Sequence, residues 1–148
     1  MSQSLARVAV HAIFSTKHRE ALITPAARPK LFAYLAGTLN AIDCPALRVG
    51  GTADHVHLLF VLSKTVALAT ALEEVKKESS KWAEDRVHPR FYWQAGYGAF
   101  SVSASQEDTV AAYIDNQEKH HAKRTFKDEL VAFFVKHRMK YDEAHLWD

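Results

Sequence analysis

Cysteine is almost missing from this chain of 148 residues: Cys44 stands alone. No intrachain disulfide can form, and a thiolate zinc site would need several ligands of other types, which suits a reducing cytoplasm. Long apolar runs are missing too, so nothing reads as a membrane span. The N-terminal "MSQSLARVAVHAIFSTKHRE" is broken by Arg7 and His11 and lacks a small-residue cleavage pattern, so no signal peptide is expected and the location is read as cytoplasmic. Neither linker, internal repeat nor low-complexity run occurs. Charge of one sign is also lacking: 19 Lys and Arg face 17 Asp and Glu, and the net charge of +2 permits a polyanionic partner without requiring one. What remains is 48% hydrophobic and 24% charged, ordinary for a single compact domain over residues 1–148.

Periodicity then places the elements. "ARVAVHAIFST" predicts a central strand over 6–15. Pro25 and Pro29 bracket a helix start, after which Leu31, Leu35, Leu39 and Ile42 recur at helical spacing. "CPALRVGGTADHVHLLFVL" predicts a hairpin with strands at 46–51 and 55–62, its turn edged by Gly50 and Gly51. Leu68, Leu72, Val75 and Trp82 form one stripe of an amphipathic helix. A fourth strand at about 97–103 completes a β-α-β-β-α-β order, which implies an α+β fold: a ferredoxin-like antiparallel sheet with two helices on one face. Two C-terminal helices follow, with Ser105–Asp108 and Thr125–Asp128 as capping boxes; the first runs through "QEDTVAAYIDNQEKHH", and Leu130, Phe133, Phe134 and His137 share one side of the second.

In "TADHVHLLF" the period of two sends His55 and His57 to the same face of a strand and Val56 to the other. That is a two-toothed metal clamp in need of a third ligand. Tyr113 and Gln117 are four residues apart on a helix and project from one face. A helix on the open face of the sheet would bring Gln117 to the histidines, giving two imidazoles and one amide oxygen with positions left open. Such a set suits Mg²⁺ or Mn²⁺ better than a closed structural zinc. Tyr113 is then the candidate nucleophile, its phenol attacking a phosphorus to leave a phosphotyrosine link and a free hydroxyl.

"DHVH", "WQAGYGAFSVS" and "YIDNQEKHH", in this order and spacing, resemble the single-tyrosine HUH transposases of the IS200/IS605 type, including the REP-associated tyrosine transposases, over most of the chain. The resemblance implies that His55, His57 and Gln117 hold the metal and that Tyr113 is catalytic. It further implies a ferredoxin-like core, a DNA transposase that nicks and rejoins single-stranded DNA through a 5′-phosphotyrosine, a DNA hairpin as partner, and a homodimer with composite active sites.

Other residues read two ways. Asp54 either orients a histidine ring from behind or ends the turn. His120 and His121 either face the metal or a phosphate or form a solvated helix end; the second reading is preferred, and they stay off the metal set. Lys76, Lys77 and Lys81, with Lys119, Lys123 and Arg124, are candidate contacts to the DNA backbone or a solvated face. Tyr92, Trp93 and Tyr97 either stack unpaired bases or pack, and packing is expected for Phe100. Two rival functions share the element order. One is a non-catalytic single-stranded nucleic-acid-binding module, which would carry an aromatic strand pattern absent here. The other is an HUH nickase of the replication or transfer kind, usually larger or with a third histidine ligand.

Overall fold

The structure is a computed structural model that describes residues 2–148. Four strands, β1 (Ala9–Ser15), β2 (Ala46–Gly51), β3 (His55–Val61) and β4 (Gly98–Val102), form one antiparallel sheet in the order β2-β3-β1-β4. Helices α1 (Arg28–Ala41) and α2 (Leu68–Arg86) lie between them in sequence, and α3 (Glu107–Asp115), α4 (Gln117–His121) and α5 (Phe126–Lys136) follow. This is the expected ferredoxin-like α+β arrangement, with β1 central.

Alternation along the two central strands divides the core. Val10, Ala12, Phe14, Val56, Leu58 and Phe60 point to the face covered by α1 and α2, where they meet Leu31, Leu35, Leu39, Leu72 and Val75. Each fully buried Val, Leu or Phe side chain in this layer contributes about 1.5–3 kcal/mol of apolar transfer free energy, so the layer anchors the sheet. The opposite face carries His11, Ile13, His55 and His57. There Ile13 and Phe100 pack with Phe126, Leu130 and Phe134 of the C-terminal helices. Phe100 is thus a core residue.

The first strand is shorter than expected: the ladders with β3 and β4 end at Ala9, opposite Val61 and Val102, and of the backbone groups in residues 6–8 only the Val8 carbonyl is engaged among the described residues, accepting from the Leu62 N–H at 2.8 Å. The predicted capping box at Ser105 is not formed. Ser105 lies inside a short 3₁₀ turn, and Gln106 precedes α3 without a side-chain cap. Thr125 does cap α5, its Oγ1 accepting from the Asp128 N–H at 3.1 Å. The single helix expected through 106–121 is two helices, broken at Asn116 (φ −102°, ψ 23°), whose Nδ2 donates back to the Ala112 carbonyl at 2.8 Å.

Two glycines let this second layer approach. A Cβ on Gly50 would fall 2.7 Å from Ile114 Cγ2 and 2.8 Å from the Ile114 carbonyl oxygen, and one on Gly51 would fall 2.2 Å from the His55 carbonyl oxygen. Only the bare backbone of β2 admits α3 and the tight hairpin at these distances.

Candidate metal and tyrosine site

The site is built on the sheet face away from α1 and α2. His55 and His57 stand on β3, opposite Ser15 and Ile13 of β1, and both are fully buried. His11, one pleat along β1, places Nε2 2.8 Å from His57 Nδ1. The Asp54 carboxylate lies 2.8 Å from His55 Nδ1, and Thr52 Oγ1 approaches the same nitrogen at 3.0 Å. Each strand histidine thus has its Nδ1 engaged from behind and its Nε2 turned to the centre, the usual support of a ligating imidazole.

Three C-terminal helices close the centre. Gln117, at the start of α4, brings Oε1 to 3.1 Å from His55 Nε2. Glu129, from α5, puts Oε1 3.0 Å from His57 Nε2 and 3.6 Å from His55 Nε2. Its Oε2 accepts hydrogen bonds from the Tyr113 hydroxyl and, at 3.2 Å, from Gln117 Nε2. His121 Nε2 lies 3.3 Å from the same oxygen but outside hydrogen-bonding alignment, so this buried nitrogen has no hydrogen-bond partner. The Phe126 ring stacks on His55 at 4.0 Å between centroids.

Burial sets the electrostatics. It pushes His57 down to about 4 and lowers His11 as well, so both are neutral at pH 7, and the neutral form is the one in which an imidazole such as His57 can bind a metal. Burial alone would raise Glu129, but the adjacent His121 and His57 and the Tyr113 hydroxyl outweigh it and hold the carboxyl well below the usual range. The Tyr113 phenol is raised, first by burial and then by its bond to Glu129.

Tyr113 and Gln117 do reach the histidine pair, and Asp54 touches His55. His120 and His121 are not a solvated helix end: the His120 ring stacks on Tyr113 at 4.5 Å, and the His121 side chain is only 15% exposed. They turn inward because α4 begins afresh after Asn116. Trp93 is not free to stack on a base, being 3% exposed with Nε1 donating to Ser79 Oγ at 2.9 Å. His11 and Glu129 are additions that the spacing arguments passed over.

A cavity of about 420 Å³ opens beside Tyr113 and Glu129, lined also by Phe133, Lys136 and Arg124. Another, of about 630 Å³, lies on the opposite layer between α2 and residues 92–97 and is lined by Lys76, Lys77, Lys81, Tyr92 and Tyr97. Lys76 is committed there, donating to the Ala95 and Gly96 carbonyls at 3.1 and 2.9 Å. Lys123 is exposed.

The arrangement defines a class: a ferredoxin-like sheet whose strand-borne histidine pair faces a helix-borne tyrosine and glutamine. Residues 4–117 match the family described as IS200-like transposase, and the chain belongs to that family of DNA-processing enzymes. Two solved structures share the fold. A crystal structure of a candidate transposase from Deinococcus radiodurans R1 superposes with a TM-score of 0.63 at 19% identity, covering 79% of this chain and 98% of that one. A REP-associated tyrosine transposase bound to a REP hairpin superposes with a TM-score of 0.59 at 12% identity, covering 82% and 74%. No curated protein matches the sequence. Among the described residues, no helix is long and apolar enough to cross a membrane.

Proposed function

We propose that this transposase cuts and rejoins single-stranded DNA through Tyr113. The phenolic oxygen attacks a backbone phosphorus, a 5′-phosphotyrosine bond forms, the bond to the departing 3′ oxygen breaks, and that oxygen gains the proton the phenol gives up. One phosphodiester replaces another, so a later 3′ hydroxyl can reverse the step without an energy source. The observation that carries this reading is that one carboxylate, Glu129, touches both the Tyr113 hydroxyl and the nitrogen of His57.

His55, His57 and Gln117 would hold the metal, and the donor set fits one: two imidazoles and an amide oxygen converge beside a buried nitrogen, His121 Nε2, that has no hydrogen-bond partner. A bound Mg²⁺ or Mn²⁺ supplies positive charge against the phosphoryl oxygens. The chain's own residues do the rest. Asp54 and His11 hold the two imidazoles from behind. Glu129 and the stacked His120 fix the Tyr113 ring.

The partner we propose is a DNA hairpin with an adjoining single strand, in keeping with the hairpin on the REP-associated neighbour. Arg124, at the cavity beside Tyr113, and Lys77 and Lys81, with the exposed Tyr92 and Tyr97, are the proposed backbone and base contacts. Tyr113 reaches the histidines of its own chain, so a homodimer of the kind the resemblance implies would not have to exchange helices to assemble these contacts.

The test is to incubate the protein with Mn²⁺ or Mg²⁺ and labelled hairpin oligonucleotides and to look for an adduct that survives SDS. An adduct that requires metal and disappears in Tyr113→Phe is expected. Tight hairpin binding with no adduct under any metal would instead indicate a binding-only module.

A further inference from the structure

Glu129 presents a charge problem that the tyrosine reading leaves open. Its side chain is 1% exposed, and among the described residues its ion-pair distances are to histidines only: His55 at 3.6 Å, His57 at 3.0 Å and His121 at 3.3 Å, with no lysine or arginine. The anion is held there by hydrogen bonds and histidine contacts alone, and a cation at the centre would add the full charge that no lysine or arginine supplies. A hydrogen bond to Tyr113 alone needs no such location, since any acceptor at the surface would serve.

The ligand atoms themselves suggest what the compensating charge is. One donor atom each from His55, His121 and Glu129 lie within 4.8 Å of one another, the spacing of groups that share an ion. The two oxygens of Glu129 face different ways, Oε1 to the histidine pair and Oε2 to Tyr113 and Gln117. His121 Nε2 is buried 3.3 Å from Glu129 Oε2 but out of hydrogen-bonding alignment with it, and has no other partner. Thr125 at the α5 N-cap fixes the first turn of that helix, so Glu129 is delivered by a rigid element.

We propose that Glu129 and His121 are ligands of the same metal site as His55, His57 and Gln117, making it a histidine-rich site with one carboxylate. This rests on the metal reading of the preceding section and extends it to cofactor choice. More imidazole nitrogen turns a site from Mg²⁺, which prefers oxygen and retains water, toward Mn²⁺, Co²⁺ or Zn²⁺. A single carboxylate would then join the metal to the nucleophile that acts beside it.

The experiment is titration of the full chain with Mn²⁺ and, separately, Mg²⁺, followed by calorimetry and by the paramagnetic signal of free Mn²⁺. Wild type is compared with Glu129→Gln, His121→Ala and His55→Ala. The expected result is Mn²⁺ bound more tightly than Mg²⁺, a loss of Mn²⁺ affinity of about tenfold or more in Glu129→Gln, and a narrowed Mn²⁺ over Mg²⁺ preference in His121→Ala. Wild-type Mn²⁺ affinity in Glu129→Gln, with binding lost in His55→Ala, would overturn the proposal and leave the metal site standing. Absence of any binding by wild type would remove the metal reading itself.

A second measurement needs no variant. Infrared difference spectra of wild type with ¹³C-labelled glutamate should show an isotope-sensitive carboxylate band that moves when Mn²⁺ is added. No such band overturns the assignment of Glu129, even if the substituted proteins fail to fold.

Discussion

Tyr113 donates its phenolic hydrogen bond to Glu129, and the other oxygen of that carboxylate lies 3.0 Å from His57. The candidate nucleophile and the strand-borne histidine pair are therefore one side chain apart. Removing the hydroxyl with Tyr113→Phe leaves Glu129 with Gln117 Nε2 as donor and keeps the ring on His120. The expected loss is about 1.5 kcal/mol, at the low end for a hydrogen bond to a charged group because Tyr113 is only half-buried. Denaturant unfolding of metal-free protein checks this, alongside loss of the adduct. An unchanged midpoint would mean that the bond is not made in solution.

Whether the site is assembled within one chain is open to a mixing experiment. Tyr113→Phe lacks the proposed nucleophile and His57→Ala lacks a proposed ligand, so a composite site spanning two chains would recover one good site per mixed dimer. Because Tyr113 meets His57 and Glu129 of its own chain, co-refolded mixtures are expected to form no adduct. Recovery toward about a quarter of wild-type yield, half the dimers being mixed and each having one good site of two, would show instead that the tyrosine helix serves a partner.

Much of this site was legible from spacing, and the reasons are specific. The period of two along β3 put His55 and His57 together without any knowledge of the sheet, and the spacing of four linked Tyr113 to Gln117. His11 was not recognised, because one polar residue in an apolar strand reads as a mere interruption until β1 is known to lie beside β3. Glu129 did leave a trace: it falls three residues after Phe126 and one before Leu130, a charge inside an apolar helical stripe. The break at Asn116 left none, since "AAYIDNQEKHH" reads as continuous helix. That break also explains why His121 faces inward.

Gly50 tests how tightly that packing is set. In Gly50→Ala the new methyl meets both the side chain and the backbone carbonyl of Ile114, and a carbonyl in a helix cannot rotate away. The expected cost is about 1–3 kcal/mol, typical of overpacking, together with a fall in adduct yield, because Tyr113 precedes Ile114 on the displaced helix. Thermal unfolding and the adduct assay should both respond. A stable variant with full adduct yield would show that α3 sits farther from β2 than described.

The cavity between α2 and residues 92–97 makes a separate demand. Lys77 and Lys81 are exposed, and their ion pairs with Glu74 at 3.4 Å and Glu78 at 4.0 Å are surface pairs of little strength, readily exchanged for phosphate. If both contact the DNA backbone, Lys77→Ala with Lys81→Ala should lower hairpin affinity and flatten the slope of log K against log salt by about 0.7–0.9 per lost contact. Folding stability should hardly change. An unchanged slope would move the DNA path elsewhere, toward Arg124 and the cavity beside Tyr113.

Lys76 shares that cavity but behaves differently. Its Nζ donates to the Ala95 and Gly96 carbonyls and lies 5.3 Å from the centre of the Phe14 ring, and burial pushes its pKa down to about 8 from an ordinary 10.5. The folded chain therefore gives up this proton before the unfolded chain does. Below pH 8 both states hold it and the penalty for burying the charge is constant. Between pH 8 and about 10.5 the unfolded state binds more protons, so stability attributable to Lys76 rises with pH. Lys76→Met keeps an apolar stem and cannot titrate. The stability of wild type relative to this variant should climb across that window and be flat below it. Parallel curves would place the ammonium in water, release it from the two carbonyls, and return it to the set of residues free to meet phosphate.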